Sequence, residues 1–324
     1  MTGRSAQASK RPAVQAGKVR GELQLHSSCT PPLYAPHRTG GRTGRFAYTS
    51  TSGTSTGDVM ASKDGRVIAR ASEFRILRAL QRFGWLRTRD LARLCWKRWL
   101  LKPVAPLSLA PVNSTASAVR MAQRTLRRLR AMRYVISAQA PDGSIVYTLS
   151  ESGARALQNA GISAGSGKDL VRGFSSAYFR HRCIANEIAI AGITQGFRVS
   201  TEREISQGRW LGGEEGILGK RPDVVLRDGK RVIFGEVEKS RKRVSEYQAL
   251  LRWLGKVLQH HQSAAQGGLL GPDLILERVI FICTQAFQAK LQRDLEAAGW
   301  SPAQQSSVIH YSSDLYMFRD ILFP

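Results

Sequence analysis

From Ser72 the chain takes on a helical rhythm. In "SEFRILRALQRFG", Phe74, Ile76, Leu77, Leu80 and Phe83 recur near helical spacing. That pattern predicts a helix with Ser72 as N-cap and Gly84 as its stop. "WLRTRDLARLCW" predicts a short second helix, capped by Thr88 and burying Leu91 and Leu94. A Pro-rich insertion over 101–112 breaks the pattern. In "STASAVRMAQRTLRRLRAMRYV", Val119, Ala122, Leu126, Leu129 and Met132 form one apolar face of a third helix. Two β-prone runs, Tyr134–Ala138 and Ser144–Leu149, are joined through Pro-Asp-Gly, a hairpin signal.

Helix, helix, basic helix and hairpin is the order of a winged helix-turn-helix, expected over 69–159. "AGISAGSGKD" reads as a linker over 160–169. A second domain is expected over 170–324. Its helix runs from Phe174 to Gln195. Strands "FRVSTEREI", "PDVVLRD" and "KRVIFGEVEK" follow, then a long helix over 241–262, strand "RVIFICT", another helix and strand "SSVIHYS". The order α-β-β-β-α-β is that of a restriction-endonuclease-like core. The expected fold class is therefore α/β, α+β overall: an N-terminal winged helix followed by an αβββαβ domain. Residues 1–68 show no sustained period and many turn formers, so they read as a disordered basic tail. Met60 is an alternative start.

Charge narrows the function. The 324 residues carry 49 Lys and Arg against 24 Asp and Glu, a net charge of +25. Residues 71–165 alone carry 16 basic and 4 acidic side chains. A folded segment this basic points to double-stranded DNA as the partner. Arg120, Arg124, Arg127, Arg128 and Arg130 fall mostly off the apolar face of the third helix and are the expected DNA contacts, with that helix in the major groove. The alternative is a small α+β module for protein contacts, its arginines merely solvated. Cys29, Cys95, Cys183 and Cys283 have no zinc or redox spacing. No apolar run approaches the roughly 20 residues that span a bilayer, and no apolar core follows the basic N-terminus as in a secretory signal. These features lead to an expected cytoplasmic location, on a nucleoid or plasmid, with no membrane partner.

The second domain carries the candidate chemistry. Glu236 and Glu238 lie two apart on one strand and share a face. Asp223, after Pro222, reaches the same end of the sheet. Three such carboxylates would make an oxygen-rich pocket for Mg²⁺ or Mn²⁺, with Glu187 as a fourth candidate ligand. The spacing is similar to the nuclease pattern PD-(D/E)xK, but position 238 is acidic where that pattern has lysine. Lys239 stands one residue on; Arg221 or Lys242 could substitute. The expected catalytic set is Asp223, Glu236, Glu238 and Lys239, in an endonuclease or nickase. A structural alternative pairs Glu236 and Glu238 with Arg241, Lys242 and Arg243, and has Asp223 bond its own turn. On the long helix, Leu250, Leu251, Leu254, Val257 and Leu258 form a stripe for packing on the sheet or for oligomerisation. His181 and His310 have no evident catalytic partner.

Several short motifs, in order, resemble those of the replication-relaxation proteins of plasmids and other mobile elements. They are "ILRALQRFGWLRTRDLARL", "RTLRRLRAMRYV", "YTLSESGARAL", "FRHRCIANEIAIA" and "RPDVVL…FGEVEKS". The resemblance covers roughly 72–260. It implies DNA binding in plasmid replication, relaxation or mobilisation, with recombination or cointegrate resolution a neighbouring role. It also implies a nuclease-like second domain that often lacks the catalytic lysine, and a relaxase, recombinase or replication protein as protein partner.

Overall fold

The computed structural model describes residues 64–172, 175–238, 243–262, 269–271 and 273–317. The expected tail therefore lies outside the described residues, except for 64–68. There the first helix already begins: α1 spans Gly65–Phe83, and Asp64, not Ser72, is its N-cap, accepting from the Arg66 N–H. Ser72 is buried mid-helix and donates its hydroxyl to the Ile68 carbonyl. Phe74, expected in the core, is 41% exposed. Gly84 stops the helix at φ 82°, in the left-handed region that only glycine enters freely.

A short strand, β1 (Trp85–Arg87), then leads into α2 (Thr88–Trp96). Thr88 is the first helical residue rather than the cap. The α2 N-terminus is instead closed by Asp90, whose Oδ2 accepts from the Arg87 N–H at 2.9 Å. The third helix, α3 (Ala116–Ala131), is capped by Thr115 and buries Ala118, Ala122, Thr125, Leu126 and Leu129. Met132 lies past its end and is 41% exposed, so it leaves the expected apolar face. Strands β2 (Val135–Gln139) and β3 (Ile145–Leu149) form an antiparallel hairpin, and β1 pairs on the other edge of β3.

Next, α4 (Glu151–Asn159) packs under the hairpin. Gly153 is required there: a Cβ on it would fall 2.0 Å from the Tyr134 carbonyl oxygen. The segment over 160–169 packs against the preceding residues. Gln81 donates to the Ser163 carbonyl, and Gly167 N–H bonds Leu149.

Five strands make the second sheet, in the order β4 (Arg198–Ser200), β5 (Val224–Asp228), β6 (Arg231–Glu238), β7 (Ile275–Cys283) and β8 (Ile309–Ser312). The β4–β5–β6 pairs are antiparallel, and β6–β7–β8 are parallel. Parallel neighbours need crossovers, supplied by α7 (Val244–Gln262) and by α8 (Gln285–Ala297) with α9 (Pro302–Val308). The expected strand "FRVSTEREI" is only half strand. Thr201 and Glu204 form a capping box that turns its second half into α6 (Glu202–Ser206).

Alternation along the strands separates two cores. Val224, Leu226, Ile233 and Val237 face α5 (Ser176–Thr194), while Val225, Val232 and Phe234 face α7. The α7 stripe (Leu250, Leu254, Val257 and Leu258, with Tyr247 and Trp253) is buried against that second face. The α5 core continues into the first three helices, where Trp85 stacks on Phe179 with centroids 5.3 Å apart. The described chain is mixed α/β, with one antiparallel and one mixed sheet.

Candidate functional site

The C-terminal end of β6 gathers most of the candidate chemistry. Glu236 and Glu238 project to the α7 face and are 3% and 4% exposed. Asp223 precedes β5, and its carboxylate takes over where the backbone ladder ends. Its Oδ2 accepts from the Val237 N–H at 2.7 Å, and its Oδ1 lies 3.0 Å from His181 Nε2. Burial works against charge on both partners. Their mutual hydrogen bond and attraction outweigh it, so the Asp223 pKa falls below its ordinary value and that of His181 rises. His181, without a partner in the sequence, is thus a direct side-chain partner of the first acid. The spacing of "FRHRCIAN" on α5 could have suggested it, because residues one turn apart share the face toward β5.

Among the described residues the basic group beside Glu236 is Lys220, which sequence reasoning missed. Its Nζ lies 2.7 Å from Glu236 Oε2 and 5.8 Å from the Trp253 ring centroid. A tight turn delivers it. Ile217 and Lys220 exchange backbone hydrogen bonds across Leu218 (φ 52°) and Gly219 (φ 77°). Two consecutive positive φ values suit glycine and strain leucine. Trp253 Nε1 donates to the Ile217 carbonyl and holds the turn against α7. Lys220 is three residues before Asp223, on a loop rather than on β6, which is why strand spacing could not find it. Lys239 and Lys242 lie outside the described residues, and Arg221 is exposed.

Burial raises the Glu236 carboxyl to about 7; Lys220 opposes this, and the nearby carboxylates of Asp223 and Glu238 add to it. Burial also acts against the Lys220 ammonium, but Glu236 more than compensates, and the Lys220 pKa rises. The other Glu236 oxygen, Oε1, is buried without a hydrogen-bond partner.

These acids do not make a metal pocket as they stand. Asp223 has both oxygens engaged, and Glu236 is neutralised by an ammonium. Among the described residues no three His, Cys, Asp or Glu side chains converge as a metal would require. Glu187, the expected fourth ligand, is elsewhere. Its two oxygens each lie 2.6 Å from the Arg93 guanidinium on α2. It sits in a buried cluster with Asp90, Arg87 and Arg93, because four charges of balanced sign tolerate burial only together. Of the alternative partners for Glu236 and Glu238, Arg241 and Lys242 lie outside the described residues; the described partner of Glu236 is Lys220.

On α3, Arg120, Arg124, Arg127 and Arg130 are exposed. None has a carboxylate partner among the described residues. Arg120, Arg124 and Arg127 follow one another at helical spacing and form a row. Arg128 departs from the expected set: its Nε is 2.9 Å from Glu73 Oε1, so it ties α3 to α1. Cys95, Cys183 and Cys283 are buried free thiols. No described helix is long and apolar enough to cross a membrane. No family model, curated protein or solved structure matches the chain.

Proposed function

We propose that this chain is a DNA-binding accessory protein of a plasmid or other mobile element. In this reading α1 to β3 act as a winged helix, with α3 in the major groove and the β2–β3 hairpin as the wing. The observation that carries it is the row Arg120, Arg124 and Arg127, with Arg130 beside it: exposed cations on one helix, unpaired by any described carboxylate. The αβββαβ order around β4–β7 supports a restriction-endonuclease-like scaffold for the second part, used for docking DNA or a relaxase, recombinase or replication protein. The process is replication, relaxation, mobilisation or recombination, on DNA in the cytoplasm.

The test is the salt dependence of duplex binding. Each phosphate contact contributes a slope of about −0.9 in log K against log salt. The double variant Arg124→Ala/Arg127→Ala is expected to bind more weakly and to flatten that slope by nearly 2 units. An unchanged slope would remove α3 from the interface. DNA cleavage is a second reading, favoured by Lys220 standing beside Glu236 where strand spacing had left the basic group missing. Nicking of supercoiled plasmid with Mg²⁺ or Mn²⁺, abolished by Asp223→Ala and by Lys220→Ala, would establish it.

A further inference from the structure

A second group of arginines lies away from α3, at the seam between α1 and α6. Arg78 and Arg82 are one turn apart on α1. Arg82 is paired to Glu204 of α6 at 2.8 Å, and its backbone carbonyl accepts from the Thr201 hydroxyl. Arg182 of α5 donates to the Phe83 carbonyl at 2.8 Å and pairs with Glu202 at 2.9 Å. Glu204 is thereby engaged by Arg82 and Glu202 Oε1 by Arg182, while Glu202 Oε2 stays buried without a hydrogen-bond partner.

Three more guanidinium groups remain. Arg203 lies across the end of α1, where a Cβ on Gly84 would stand 3.0 Å from its Cδ and 3.3 Å from its Nη1. It is half-buried, and its Nε is shielded from solvent without a hydrogen-bond partner. Arg78 is also half-buried and has no ion-pair partner among the described residues. Arg209 is exposed and bonds only the Gln207 side-chain oxygen. Burial lowers the pKa of Arg78 and of Arg203, and Arg209 repels the charge on both.

Cations held this close without counter-charges are costly unless an anion completes them. Beside them, in the first turn of α5, Tyr178 is 46% exposed. It lies one turn before Arg182, which pairs with Glu202 at 2.9 Å beside Arg203, and three residues before His181, whose Nε2 is 3.0 Å from Asp223 Oδ1. An exposed aromatic ring on the same seam as a group of guanidiniums without ion-pair partners is the combination that holds single-stranded nucleic acid. Phosphates sit on the cations and a base stacks on the ring.

We infer that Arg78, Arg203, Arg209 and Tyr178 form a binding site for a single-stranded polynucleotide, separate from the α3 surface and leading toward Asp223. The inference rests on the chain being a nucleic-acid-binding protein, but not on α3 being the duplex reader. The test uses the full chain, a short oligothymidylate and a duplex of equal length, with binding followed over a range of salt.

Arg209→Glu is the informative variant because Arg209 is exposed and its loss spares the fold; equal melting temperatures confirm that. The single-strand salt slope is expected to flatten by about 0.7 for each phosphate contact removed, so by about that much in Arg209→Glu and by about 1.4 in Arg203→Gln/Arg209→Glu. Tyr178→Ala is expected to weaken single-strand binding about fivefold or more, while Tyr178→Phe keeps it. Duplex binding should respond to Arg124→Ala/Arg127→Ala and not to the seam variants. Single-strand binding with the same slope and affinity in Arg209→Glu and Tyr178→Ala would overturn the inference. Wild-type protein that binds the single strand but not the duplex would overturn the α3 reading and leave this one standing.

Discussion

Lys220 Nζ and Glu236 Oε2 meet at 2.7 Å at the end of β6, where the Glu236 side chain is 4% exposed. A carboxylate buried this far is tolerable only with a partner, and a loop lysine supplies it. Lys220→Met should therefore cost about 3 to 5 kcal/mol in urea unfolding, because it strands the acid. The double variant Lys220→Met/Glu236→Gln should recover part of that loss, because no lone charge is left behind. A single variant as stable as the parent at pH 8 would mean that Glu236 reaches solvent or takes up a proton.

The same acid makes stability depend on pH in an unusual direction. Its folded pKa of about 7 lies above the unfolded value of 4.5, so the native state holds the proton more tightly. That contribution is fully present below pH 4.5 and is lost as pH rises to about 7. His181, whose folded pKa is raised above 6.5, adds a loss in the same sense as pH rises through its folded value. Asp223 acts oppositely, stabilising above pH 3.8 and losing that effect as pH falls. Unfolding followed from pH 5 to 8 should thus show stability declining, by an amount on the order of 3 kcal/mol from Glu236. Glu236→Gln should flatten the decline. A profile of the variant parallel to that of the parent would show that another group titrates.

The parts of this architecture that were legible in the sequence are those with a local cause. The Gly84 stop, the α3 periodicity, the hairpin turn and the alternating strands β5 and β6 follow from backbone sterics and burial period. Residues 201–205, expected as the second half of a strand, turn into helix because a Thr-x-x-Glu capping box starts there. The site was less legible. Asp223, Glu236 and Glu238 were visible as acids at one strand end, but their partners were not. Lys220 arrives through a turn, and His181 arrives from a helix 42 positions away in sequence. Such contacts depend on tertiary packing, which strand and helix periods do not encode. The partners of Glu187 and Arg128 were hidden for the same reason: each is paired with a residue on another helix, Arg93 and Glu73.

The pairing of Glu187 has a consequence for how the first helices are joined to the second sheet. Arg93 binds it through two parallel N–H contacts of 2.6 Å, the geometry that suits a guanidinium to a carboxylate. The same Arg93 also reaches Asp90 Oδ1 at 2.5 Å, and Arg87 reaches Asp90 Oδ2 at 3.0 Å. Asp90 opposes burial through Arg87 and Arg93, which hold its pKa well below the usual carboxylate range. With two cations and two anions the cluster is neutral, and it links α2 to α5 inside one core. Removing Glu187 leaves one net positive charge in a site where the four residues are at most 5% exposed. Glu187→Ala should then cost about 3 to 5 kcal/mol, and Glu187→Gln less, since the amide still accepts a hydrogen bond. Arg93→Met/Glu187→Met should be more stable than Glu187→Ala, because it removes both charges and fills the space. Adding Mg²⁺ or Mn²⁺ should change none of these values, as the carboxylate serves the guanidinium and not an ion. Unfolding of the three variants with and without divalent metal decides it; metal-dependent stability of the parent that disappears in Glu187→Gln would return Glu187 to the ligand role first assigned to it.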